Sequence, residues 1–137
     1  MARAVRRSRR GAAVVELAIL LPFLAFIFVI ALDWSRIIYY AVTVDNCARN
    51  GALWLSDPYA TTLPPYPTLT AAALADAPNL DPQPSVNSSA GVDASGRAYT
   101  ECTVRYDFQT LTNFPGVPKS TQINRTVRVY TAPKTPN

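Results

Sequence analysis

Glu16 is the one charge inside an apolar run that extends from residue 12 to residue 32. A carboxylate in the apolar part of a membrane helix costs a few kcal/mol unless it lies near the interface, is protonated or meets a cation. Two chemistries fit. Glu16 could stay at headgroup level in the first turns of a helix, where the macrodipole contributes about 0.3–1 kcal/mol. Alternatively, it could pair with a positive group brought beside it. Gly11 stands five residues before Glu16, and Arg3, Arg6, Arg7, Arg9 and Arg10 crowd the ten residues before Gly11. The next basic residue is Arg36.

Other chemistry is sparse. The chain has no histidine, which removes the usual general base and the commonest metal ligand. No serine or threonine sits in a nucleophile elbow, and there is no phosphate-binding glycine loop. Glu101 and Asp107 share a strand pattern with Arg105 and read as a solvated face. No catalytic residue, metal site or cofactor is expected. Cys47 and Cys102 are the two cysteines; they fit either a disulfide across 55 positions or two separate small core residues.

The elements that would position these groups begin with a helix. Residues 12–32 would span about 31 Å as a helix, against a hydrocarbon core of about 30 Å. Pro22 removes a donor and crowds the carbonyl of Ala18, so a helix break or loosening is expected there. Beyond Leu32, apolar residues recur at helical steps (Trp34, Ile37, Ala41, Val44, Ala48, Ala52, Leu55), and Asp33 with Arg36 and Asp45 with Arg49 form charge pairs at helical spacing. The helix is expected to continue to about Ser56, before Asp57 and Pro58. Such a helix is too long to be buried in a small domain and must act partly as a stalk. Its segment Asn46 to Ala52 is rich in small residues, which permit close approach of another element.

The formal net charge is +4, but its distribution excludes a nucleic-acid partner. The leader carries five arginines, whereas the chain after Leu32 has eight basic and eight acidic side chains, so no basic patch follows a phosphate backbone. The charge reads as a topology signal, with the N-terminus cytoplasmic and the rest outside. Two rival targeting readings exist: cleavage by ordinary signal peptidase after Ala31, and a twin-arginine signal around Arg9 and Arg10. Glu16, Pro22 and the length of the apolar run oppose the first, and the shortness of the match opposes the second.

Residues 58–137 suffice for one small extracytoplasmic α+β domain. Pro64, Pro65 and Pro67 mark an exposed linker, and residues 68–76 a short alanine-rich helix capped by Thr68 or Thr70. Cys102, Val104, Tyr106 and Phe108 alternate with polar residues as a half-buried strand. Residues 122–131 give a second strand, with Arg125 interrupting its apolar face. A weaker one at 86–92 precedes a turn at Asp93 to Gly96. A loop with Pro115, Gly116 and Pro118 connects the two clearer strands, and the tail from Pro133 is expected to fray. The fold class is therefore α+β: leader 1–11, transmembrane helix 12–32, helix continuation 33–57, and a small antiparallel sheet within 58–137.

The arginine-rich leader, Gly11, Glu16 and the immediate apolar run together resemble the prepilin-peptidase signal of type IV pilins and pseudopilins. The stretch GAAVVELAILLP, with the small-residue segment around Arg49, is most similar to the TadE-like family of the Tad/Flp pilus system. That resemblance implies cleavage by an inner-membrane prepilin peptidase between Gly11 and Ala12. The new amine of Ala12 would then lie one turn from Glu16, or within reach of Glu16 in a neighbouring subunit. It further implies a minor pilin or pseudopilin whose partners are the membrane, the peptidase and other pilus subunits. The alternative is a membrane-anchored binding module, an adhesin or sensor, with the sheet as its working surface.

Overall fold

The computed structural model describes residues 9–60, 62, 65–111 and 119–131. Arg3, Arg6 and Arg7 of the leader, Pro64 of the linker, the loop prolines Pro115 and Pro118 with Gly116, and the tail from Pro133 lie outside the described residues.

The apolar run and the amphipathic stretch after it form a single helix, α1 (Arg9–Ser56), of 48 residues, about 72 Å long. Pro22 lies inside it without ending it; the loosening expected there does not interrupt the helix. A short helix follows, α2 (Leu69–Ala73), with Thr68 as N-cap accepting a hydrogen bond from the Ala71 N–H at 3.2 Å. It is shorter than the 68–76 expected from its alanines, because Leu74 and Ala77 turn out of the helix into the core.

Three strands complete the fold: β1 (Ser85–Val92), β2 (Ala98–Gln109) and β3 (Ser120–Tyr130), in the order β1-β2-β3 with both pairings antiparallel. The β1–β2 hairpin is closed by Asp93, whose Oδ1 accepts from the N–H groups of Ser95 (2.9 Å) and Arg97 (2.8 Å). Gly96 takes φ +80° there, a conformation that favours glycine. The Arg97 backbone bond, above the Ser95 bond and the side-chain contacts, holds the Asp93 carboxyl below its usual range.

The period-2 pattern of β2 turns Cys102, Val104, Tyr106 and Phe108 onto α1, where they pack with Val44, Cys47, Ala48 and Ala52. β2 runs antiparallel to α1. Phe108 lies near Tyr40 (ring centroids 5.3 Å) and Leu111 near Asp33, while Cys102 lies beside Gly51. The opposite face of the sheet is polar and paired across strands. Glu101 meets Arg128 at 2.7 Å, the Thr103 and Thr126 hydroxyls lie 2.8 Å apart, and Gln122 donates to Asp107 at 3.1 Å. Glu101 takes Arg128 of β3 as its ion-pair partner on this solvated face. The chain is α+β: a long N-terminal helix, apolar enough to span a membrane, with a three-stranded antiparallel sheet packed on its distal half.

Gly51 is the tightest point of this packing. A Cβ there would stand 2.5 Å from Cys102 Sγ, 3.2 Å from Ala73 Cβ and 3.3 Å from Leu69 Cδ1. The small residues read as permitting close approach therefore admit both β2 and α2. Gly51→Ala should lower the unfolding free energy by about 1–3 kcal/mol through overpacking, outweighing the roughly 1 kcal/mol that alanine contributes to a helix. Urea unfolding in detergent reads this. The double variant with Cys102→Ala should lose less than the sum of the two single changes.

Candidate assembly helix and head anchor

The N-terminal part of α1 carries Gly11, Ala12 and Glu16, all exposed. Ala12 and Glu16 are four residues apart and share one face of the helix. Among the described residues, Glu16 has no hydrogen-bond or ion-pair partner. The bond between Gly11 and Ala12 lies in the first turn of α1, where the N–H groups lack intrahelical partners. A Cβ at Gly11 would meet nothing within 4 Å among the described residues, so no packing contact requires a glycine there. From there to Phe28 the helix is apolar and open on every side apart from Glu16; Leu17, Ile19, Leu21, Phe23 and Leu24 are all more than half exposed. A surface that is apolar all round suits a lipid environment or other apolar helices.

At the end of this run the head takes hold. Asp33 is 4% exposed, and its carboxylate accepts the Leu111 N–H at 3.2 Å and pairs with Arg36 at 3.4 Å. The Arg36 guanidinium in turn stacks 5.1 Å from the Phe108 ring centroid. The Asp33–Arg36 spacing was legible as a helical charge pair; the role of Asp33 in holding β2 was not. The signal was its place immediately after the apolar run, with Arg36 one turn on.

Cys47 and Cys102 are both free thiols, both fully buried and in the same core cluster. Burial above all, with the nearby Asp76 and Cys102, pushes the Cys47 thiol up to about 11. Burial likewise raises Cys102. Near neutral pH the nucleophilic thiolate is therefore scarce in the folded head.

Two of the clefts formed by the described residues flank the head. One of about 580 Å³ is lined by Asn50, Trp54, Asp57, Tyr66 and Asp76. Two of its polar groups are engaged by neighbours: Asn50 Nδ2 donates to Asp76 Oδ2 (2.7 Å) and Trp54 Nε1 to the Tyr66 carbonyl (3.1 Å). The other, of about 430 Å³, is lined by Arg36, Tyr40, Asp81 and Tyr106. The Tyr106 hydroxyl donates to the Asp81 carbonyl at 3.2 Å. Among the described residues no three histidine, cysteine, aspartate or glutamate side chains gather as metal ligands.

A bare apolar helix continuous with a small α+β head is the build of a protein anchored by one N-terminal membrane helix. A family model described as TadE-like protein matches residues 11–53. The match takes in Gly11, Ala12, Glu16, Pro22, Asp33, Cys47 and Gly51; the sheet lies beyond it. The resemblance read from the sequence is thus met by a family match over this N-terminal stretch. No curated protein and no solved structure matches the chain.

Proposed function

We propose that the chain is a minor pilin or pseudopilin of a Tad/Flp-type pilus or secretion assembly, with a structural rather than catalytic role. A prepilin peptidase of the bacterial inner membrane cuts it between Gly11 and Ala12, on the cytoplasmic side, and the head lies outside. The observation that carries this reading is the reach of the family match. It opens at Gly11 and runs down the apolar helix through Glu16. Gly11 supports cleavage physically, since glycine costs a helix about 1 kcal/mol relative to alanine and leaves the first turn easy to unwind into a protease. Cleavage turns the Ala12 nitrogen into a cation one turn from Glu16, on the same subunit or its neighbour.

The alternative, a binding module working through its sheet, draws less support. The outer face spends many of its polar groups on cross-strand pairs. The reading is tested by shearing surface filaments from cells and identifying peptides from β2 in that fraction. They are expected there, and absent when the prepilin peptidase is deleted. A chain confined to the membrane fraction while the peptidase is active would contradict it.

Export places Cys47 and Cys102 in an oxidising compartment, where they become a disulfide as the two thiols give up two protons and two electrons, which reduce the disulfide of a protein oxidant to its dithiol. The exported chain should then gain the mass of two hydrogens on reduction. In the folded reduced chain, alkylation of Cys47 should be slow at pH 7 and rise as pH climbs through 9 towards 11. The sign follows from the raised value: the protonated thiol is favoured in the folded head, and the stability it contributes is lost across that same window.

A further inference from the structure

We propose that the head is seated on the outer leaflet of the bilayer, with the β2–β3 end of the sheet at headgroup level, rather than held off on a length of bare helix. This rests on the reading of residues 12–32 as a membrane span. Leu32 ends the apolar run, and the very next residue, Asp33, is already covered by the head through its bond to the Leu111 N–H. The exit of β2 is therefore fixed at the level of residue 33. The entry of β3 shares that level, because the Thr110 N–H donates to the Lys119 carbonyl at 3.2 Å. One turn further on, Arg36 already lies against Phe108.

A helix rises about 5.4 Å per turn, and the headgroup layer is roughly 5–8 Å deep on each side of the hydrocarbon. The lower edge of the sheet thus falls within that layer. The side chains there have the matching chemistry. Leu111 is 71% exposed and Trp34 63% exposed, and Lys119 is exposed beside them. Tryptophan with one wet end, an aliphatic side chain and a lysine are the residues that settle at a membrane–water boundary. The β1–β2 hairpin, at the opposite end of β2, points away from the bilayer.

Quenching of tryptophan fluorescence by brominated lipids reads the depth directly. The full chain carrying Trp34→Phe and Trp54→Phe would be placed in phosphatidylethanolamine and phosphatidylglycerol vesicles doped with phosphatidylcholine brominated near the headgroup or near the chain end. A single tryptophan is returned by Leu24→Trp, Leu111→Trp or Val92→Trp; all three sites are exposed, so the core is left alone. Leu24→Trp should be quenched most by the deep bromines, Leu111→Trp by the shallow ones, and Val92→Trp by neither. Native Trp34, measured in the Trp54→Phe variant, should follow Leu111→Trp. Deep quenching at Leu24 with none at Leu111 would overturn the seating alone. No quenching at Leu24 would overturn the span itself, and the seating with it.

Discussion

Replacing Phe108 by alanine is expected to remove about 3–5 kcal/mol from the stability of the head. Phe108 is the largest fully buried side chain among the described residues, and it joins three parts of the head. It faces the Tyr40 ring at 5.3 Å, carries the Arg36 guanidinium at 5.1 Å, and lies three residues before the Leu111 N–H that Asp33 accepts. The cavity left behind would lie between β2 and α1, where neither the helix nor the paired strand can collapse to fill it. Small domains hold only about 5–15 kcal/mol in total, so a sizeable unfolded fraction should appear. Near-ultraviolet circular dichroism in detergent should lose its head signal while much of the helical far-ultraviolet signal persists. Phe108→Leu, which keeps most of the volume, should lose much less. An unchanged urea midpoint for Phe108→Ala would refute the packing described here.

How far this arrangement could be read beforehand varied with the range of the interactions. The β2 inner face was legible because alternation at period 2 survives in a single strand: Cys102, Val104, Tyr106 and Phe108 all face α1. The approach at Gly51 was legible as a small-residue segment, though not the identity of its visitors, Cys102 and Ala73. The sheet was expected on the outer half of the helix and packs there, but the contact that covers Asp33, its bond to the Leu111 N–H across 78 positions, was hidden. The outward pairs of β3 were equally hidden. Arg128 opposite Glu101 is a consequence of strand register, which no local pattern specifies. The residues of the proposed processing signal are a different case: Gly11 and Glu16 stood out through charge and spacing, and both lie within the matched stretch.

Glu16→Ala is expected to leave membrane insertion intact and to reduce incorporation into filaments by about two to three orders of magnitude. Removing the carboxylate removes a charge from the apolar run, so entry into lipid becomes easier. Incorporation suffers because a terminal amine buried among packed helices would lose its partner. Breaking a buried ion pair from one side costs about 3–5 kcal/mol, and 1.4 kcal/mol is roughly a factor of ten. Glu16→Gln keeps the shape but not the charge, and should behave like alanine if the pair is electrostatic. Quantifying each variant in sheared filaments against the membrane pool separates assembly from insertion. Wild-type incorporation of either variant would remove Glu16 from the account.

The intact mass of the chain recovered from assembled filaments tests the central claim most directly. A product beginning at Ala12, replaced by the full-length precursor when the prepilin peptidase is deleted, is the predicted result. Filaments built from a chain that still begins at Met1 or Ala2, with its arginines in place, would contradict it.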